Sequence, residues 1–326
     1  MTLKAFNSIE NLYNAINNYG YICDINLVIS LYVAYHLNKP ILLQGPPGIG
    51  KTEIAKVVSN LINSEDPIRL QCFEGIDASQ AIYDWDYKKQ LLYIESCKNQ
   101  KIDWKNLKDD LYSDDFLSVR PLLKSILSDK QEVILIDELD KSDEEFEAFL
   151  LEFLAEQQIS ISENKTIKAK NIPICFITSN NYRELSDAIL RRCVCVFLDY
   201  PTMEREIEII YTKVKDVDSL LATQITGFVQ LLRKENLKKI PSISETIDWV
   251  KALVKLEAKN LNNNLVKSTL NILLKTQSDL ETIDNKIESY LKKIPSKAIK
   301  IDKEKIQFQR KEQINNILEN DDNWNF

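Results

Sequence analysis

Up to about position 200 the apolar residues of this chain alternate between two rhythms, and beyond it only one survives. Four short runs are apolar on both faces: Pro40-Ile41-Leu42-Leu43-Gln44, Val133-Ile134-Leu135-Ile136, Ile172 to Thr178, and Val194-Cys195-Val196-Phe197-Leu198. Such runs suit parallel strands covered by helices on either side. Between them the spacing becomes helical, with Ile54, Val57, Val58, Leu61 and Ile62 on one face and Phe146, Phe149, Leu150, Phe153 and Leu154 on another. The second helix is preceded by Ser142-Asp143-Glu144-Glu145, a capping-box pattern. Ile159-Ser160-Ile161 and Ile167-Lys168-Ala169 alternate around Glu163-Asn164-Lys165, which reads as a β-hairpin. A short helix is expected at Ser186 to Arg192. Past Tyr200-Pro201 the pattern predicts helices alone, roughly 202–215, 217–234, 243–258, 265–276 and 278–292, broken by Pro241, Asn262-Asn263-Asn264 and Pro295. The domains expected are therefore an α/β core over 1–200, a helical domain over 201–297, and a charged tail over 298–326. In that tail Ile306, Phe308, Ile314, Ile317, Leu318, Trp324 and Phe326 stand isolated. It reads as a peripheral helix with a frayed end, or as a partner-docking segment.

Composition narrows the classes. The chain has 326 residues, 44% hydrophobic and 28% charged, as a globular protein of about two domains would. No uncharged apolar run approaches the roughly 18 residues of a membrane span, and Met1 to Asn7 lacks a signal-peptide core, so the expected location is the cytoplasm, away from membranes. The six cysteines include no C-x-x-C pair, which argues against a zinc site or disulfide framework. The one histidine, His36, reads as a core or helix-end residue. Net charge is −7, and residues 1–200 hold 21 Lys and Arg against 30 Asp and Glu. Phosphate-backbone binding draws on clustered cations, so this acidic body makes nucleic acid an unlikely principal partner.

Glycine is scarce, with six in the chain, and three of them, Gly45, Gly48 and Gly50, fall together. They punctuate Gly45-Pro46-Pro47-Gly48-Ile49-Gly50-Lys51-Thr52, followed by Glu53, which fits G-x-x-x-x-G-K-[ST] between an apolar strand and a helix. Glycines let successive backbone N–H groups turn inward as an anion cradle, reinforced by the dipole of the following helix. Lys51 would reach the β- and γ-phosphates of a nucleotide, and the Thr52 hydroxyl would ligate magnesium. A second strand ends in Asp137-Glu138. Asp137 suits magnesium coordination, and Glu138 suits the carboxylate that orients and polarises an attacking water. Asn180, just after a third strand, is a polar amide suited to sensing a γ-phosphate or holding that water. Arg191 and Arg192, two of only eight arginines, could complement a helix dipole or stabilise transition-state charge from a neighbouring subunit.

The order of these motifs resembles the AAA+ ATPases, and within them the MoxR group. Strings similar to that group are Leu70-Gln71-Cys72-Phe73-Glu74-Gly75-Ile76-Asp77, Arg120-Pro121-Leu122-Leu123, Asp137 to Phe146, Thr178-Ser179-Asn180 and Arg183 to Ala188. The resemblance covers about residues 15–255. It implies a three-layer αβα sandwich with a five-stranded parallel sheet, a C-terminal all-α lid, and ring oligomers, usually hexameric. Carried over, Lys51 and Thr52 match the Walker A positions, Asp137 and Glu138 the Walker B pair, Asn180 sensor 1, and Arg192 the arginine finger, with Arg191 its close competitor. Phe73 to Tyr93 and the 159–169 hairpin match inserts thought to face a pore or substrate. Tyr21-Ile22 matches the segment that tends to contact adenine. Ser244 stands where the sensor 2 arginine often does.

The function expected is magnesium-dependent ATP hydrolysis by a ring that remodels or helps mature a protein client. The MoxR resemblance implies clients beside von Willebrand A domain proteins, including metalloenzymes. A nucleotide-gated binding module with incidental turnover, a nucleic-acid-linked motor, and a GTP-driven relative remain as alternatives.

Overall fold

The computed structural model of the chain describes residues 4–63, 65–97, 111, 116–162, 165–299, 301, 302, 309, 312–314 and 316. The hairpin tip at Glu163 and Asn164, and Ile306, Phe308, Ile317, Leu318, Trp324 and Phe326 of the tail, lie outside these residues. In chain order the elements are α1 (Ile9–Asn18), α2 (Ile25–His36), β1 (Ile41–Gln44), α3 (Lys51–Asn63), β2 (Ile68–Gln71), α4 (Ala78–Ala81), β3 (Tyr83–Trp85), α5 (Tyr87–Cys97), β4 (Leu117–Val119), α6 (Pro121–Leu127) and β5 (Val133–Asp137). There follow α7 (Glu144–Glu156), β6 (Gln158–Ser162), β7 (Lys165–Lys168), β8 (Ile174–Ser179), α8 (Asp187–Leu190) and β9 (Val194–Phe197). The remainder is helical: α9 (Met203–Lys213), α10 (Ser219–Leu232), α11 (Ile243–Lys255), α12 (Asn263–Thr269), α13 (Gln277–Asp284) and α14 (Ile287–Lys293). Among the described residues no helix is long and apolar enough to cross a membrane.

The chain divides into two compact units. The first comprises residues 33–43 and 58–196 and carries a five-stranded parallel sheet of order β2-β5-β8-β1-β9, with helices flanking it. The apolar runs read from the sequence account for four of the strands. β5 is buried at every position, as its unbroken apolar run requires. The fifth, β2, alternates between buried Leu70 and exposed Arg69 and Gln71, and it lies at the sheet edge, where one face meets water. Its register sets Arg69 beside Leu135 and Gln71 beside Asp137. Leu42, Leu70, Ile134, Ile136 and Ile177 pack with Leu122, Phe146 and Phe153 into one apolar cluster.

Two antiparallel ribbons accompany the sheet, β3 with β4 and β6 with β7. The second is the expected hairpin, with Ile159 paired to Ile167 and a bulge between Ser160 and Ser162. Helix α7 is capped by Asp143, whose carboxylate accepts from the Phe146 N–H at 2.8 Å, and not by Ser142 as the capping-box pattern implied. A 3-10 turn over Leu139–Lys141 explains the shift, because it takes both the Ser142 N–H and its hydroxyl onto the Leu139 carbonyl.

The second unit gathers residues 1–32 and 44–57 with the chain from 197 onward. Its core is the helical region, where Phe228, Trp249, Leu253, Ile283 and Ile287 are fully buried. The Trp249 indole N–H donates to the Thr269 hydroxyl at 2.8 Å, so the largest buried side chain leaves no donor unpaired. Arg233 and Glu206 form a bidentate pair, both contacts 2.7 Å, with side chains 5% and 0% exposed, and Tyr200 stacks on the guanidinium. The single helix expected over 278–292 is two, α13 and α14, parted at Asn285-Lys286, where Lys286 N–H closes a turn on the Ile283 carbonyl. Neither residue is a helix breaker.

Candidate functional site

Within the first unit the acidic pair stands at the carboxyl edge of the sheet, where open α/β sheets collect ligands. Asp137 ends β5 and is 3% exposed. Its Oδ1 accepts from the Thr178 hydroxyl at 2.6 Å, and its Oδ2 accepts from Arg69 Nε at 3.0 Å and Nη2 at 2.5 Å. Glu138 leaves the strand in the left-handed region, φ 58° and ψ 48°, a conformation costing about 1 kcal/mol for a residue with a Cβ. Strain of this kind persists where surroundings fix it. Here the Glu138 N–H donates to the Thr178 hydroxyl at 2.8 Å. The carboxylate accepts from the Asn180 amide at 3.0 Å on Oε1, and from Gln71 at 3.0 Å and Lys141 at 2.7 Å on Oε2. That contact holds the Lys141 ammonium above its ordinary pKa.

Asn180 is itself held from behind. Asp140, 1% exposed, accepts from the Asn180 N–H at 3.0 Å and the Tyr182 N–H at 2.8 Å with one oxygen. The turn after β8 therefore presents the Asn180 amide to Glu138. Cys72 donates its backbone N–H to the Asp137 carbonyl at 2.8 Å. Burial, then the negative charges of Asp137, Asp140 and Glu138, push its thiol up to about 12.

The glycine-rich loop belongs to the second unit. Gly48 and Gly50 both have positive φ, +69° and +97°. A Cβ on Gly48 would overlap the Ser242 side chain, and one on Gly50 would come within 3.3 Å of the Tyr21 ring. At Gly48 only glycine avoids a clash, and at both positions the left-handed backbone favours it. Tyr21 is buried, and that burial raises its phenol pKa. Lys51, 5% exposed, folds its ammonium onto the loop's own carbonyls, Gly45 at 2.6 Å and Pro46 at 2.7 Å. The Glu53 carboxylate pairs with Lys213 of α9 at 3.1 Å. Ser244 directs its hydroxyl to the Gly48 carbonyl at 3.5 Å, and Ser242 begins α11 in a capping box with Glu245.

Each unit's groups taken by themselves suit part of a magnesium nucleotide. The loop's positive φ values are those of an amide cradle and Lys51 is a cation for phosphate, while in the other unit the buried Asp137 carboxylate is a hard oxygen ligand. The two arginines differ. Arg191 is exposed, whereas Arg192 is half-buried and its Nη1 donates to the Ala188 carbonyl at 2.9 Å.

Sequence reasoning brought Asp137, Glu138 and Asn180 to one edge, and the structure joins Glu138 to Asn180 directly. It missed Arg69, Gln71, Thr178 and Asp140. The signal for the first two was available: two polar residues at period-2 spacing, Arg69 and Gln71, in a short segment flanked by Ile68 and Leu70. Residues 41–199 match the model of the family described as "ATPase family associated with various cellular activities (AAA)". That segment contains the glycine-rich loop, Asp137, Glu138, Asn180, Arg191 and Arg192. No curated protein matches the chain.

Proposed function

We propose that this protein is a magnesium-dependent ATPase of MoxR type that works as a homo-oligomeric ring, hexameric by expectation, to remodel or mature a protein client in the cytoplasm. Supporting the reading most is Glu138, held by the amides of Asn180 and Gln71 one residue beyond a buried aspartate. A carboxylate so held suits the orientation of a water for in-line attack on a γ-phosphate, and its partner amide suits the detection of that phosphate. Backbone N–H groups from Gly45 to Glu53, including those of Ile49 and Gly50, would cradle the phosphates. Pro46 and Pro47 have no N–H to give and would shape the loop. Lys51 would exchange its own carbonyls for phosphate oxygens. Thr52 and Asp137 would hold magnesium, which when bound neutralises the charge of the phosphates. Arg191 or Arg192 would stabilise transition-state charge in a neighbouring subunit, and the exposed Arg191 is the freer to extend.

The domain limits that accompany this reading are 1–200 for the nucleotide-binding core, 201–297 for the lid and 298–326 for the tail. The expected client is a protein, with von Willebrand A domain proteins and metalloenzymes the first to screen. Purified protein should hydrolyse ATP. Lys51→Ala should lose nucleotide binding, and Glu138→Gln should keep ATP bound and stabilise the oligomer. A preparation with both residues intact that turns over no nucleotide at any concentration or assembly state refutes the enzymatic reading. One observation favours a second reading, a nucleotide-gated binding module. Ser244 addresses the loop's Gly48 carbonyl, where an arginine would address a phosphate. Client release from the ATP-loaded Glu138→Gln protein without hydrolysis would support it.

A further inference from the structure

We infer that Arg69 is a positioning residue that competes with the divalent cation for Asp137, so that the metal requirement is set by how firmly one guanidinium holds one carboxylate oxygen. The inference rests on the reading of Asp137 as a magnesium-binding carboxylate. Arg69 belongs to the edge strand β2, and it reaches from beside Leu135 to Asp137 Oδ2 with two donors, at 3.0 and 2.5 Å. The carboxylate side chain is 5% exposed and the arginine side chain 53%. A buried carboxylate needs a counter-charge, and this one is supplied by a group that already stands half in water. Withdrawing it lets water replace the contacts Arg69 gives up.

A hydrated cation needs the same lone pairs. Oδ2 receives both guanidinium donors and Oδ1 one donor, the Thr178 hydroxyl at 2.6 Å, so Asp137 offers a cation its Oδ2 lone pairs only as Arg69 yields them. The charge balance is kept in either state: guanidinium before metal arrives, metal afterwards. Arg69 also links the two acids. Its Nη2 donates to Gln71 Oε1 at 2.5 Å, and Gln71 Nε2 donates to Glu138 Oε2 at 3.0 Å. When Arg69 leaves, Gln71 loses the contact that orients it, and Glu138 keeps Asn180 and Lys141.

The test uses the full chain loaded with ADP and Mn2+ as the probe, free Mn2+ being counted by electron paramagnetic resonance. Arg69→Met keeps the aliphatic stem and removes the charge. It should bind Mn2+ about tenfold more tightly than the natural protein, the scale of one charge-assisted contact at a half-exposed site. Arg69→Lys, a point charge without the fork, should fall between them and carries the test if the methionine variant does not fold. Unchanged or weaker Mn2+ binding in either variant overturns the inference, because a plain supporting role for Arg69 predicts loss. Binding of a fluorescent ADP analogue in EDTA should be unmoved by both variants. Asp137→Asn separates the two layers: if it leaves Mn2+ affinity unchanged, the metal reading of Asp137 has failed. If it weakens Mn2+ while Arg69→Met brings no gain, only the competition is wrong.

Discussion

Two arginine–carboxylate pairs in this protein each make two short contacts, in opposite surroundings. In the helical unit, Arg233 and Glu206 face each other with two 2.7 Å contacts and almost no exposure, 5% and 0%. Gln230 adds a third donor to Glu206 at 2.9 Å, and the Pro241 carbonyl accepts from Arg233 at 3.0 Å. In the sheet unit, Arg69 grips Asp137 just as closely, yet its side chain is half in solvent. The sealed pair has nowhere to go, because each ion's desolvation is offset chiefly by the other's opposite charge. The open pair can exchange one partner. A site that must exchange ligands needs the second kind, and a helical unit that must keep its shape is served by the first.

Breaking the sealed pair should give the largest effect. Arg233→Met strands the Glu206 carboxylate and should destabilise the protein by about 3–5 kcal/mol, read from urea unfolding, whereas Arg69→Met should cost about 1 kcal/mol or less. Equal costs would end the contrast. Glu138→Gln should lower steady-state ATP turnover about a hundredfold or more while nucleotide stays bound, measured by phosphate release and equilibrium binding. Asp140→Ala leaves two part-buried N–H groups without their carboxylate and should destabilise by about 1 kcal/mol, with loosened amide hydrogen exchange at Asn180 and Tyr182. The smallest effect concerns Cys72, whose thiol in the fold is raised to about 12 from an ordinary 9.0. Between those values the folded protein keeps a proton that the unfolded chain loses, so stability falls as pH rises through that window. Cys72→Ala should flatten that fall, seen by comparing urea midpoints at about pH 8 and about pH 10.

The site was legible wherever its chemistry coincides with a local pattern. The loop from Gly45 to Thr52 announces itself because so few glycines occur elsewhere, and Asp137-Glu138 because acids end an unbroken apolar run. Strand β2 was not read as a strand. Four residues with two polar positions give too short an alternation, and its pairing with β5 is a contact across more than sixty residues of chain. The α7 cap and the α13–α14 break were misread for a related reason: a neighbouring turn, not the residue type, decided which group took each N–H.

By itself the sequence determined which segments could be strands or helices, where a phosphate cradle could form, and which residue types were available to it. These follow from side-chain spacing and backbone freedom, which act within a few residues. Which side chains hold the Asp137 and Glu138 carboxylates was decided only by the tertiary structure. Arg69, Gln71, Thr178 and Asn180 come to Asp137 and Glu138 through strand register and turn geometry, and a hydrogen bond depends on ångström-scale placement between segments far apart in the chain.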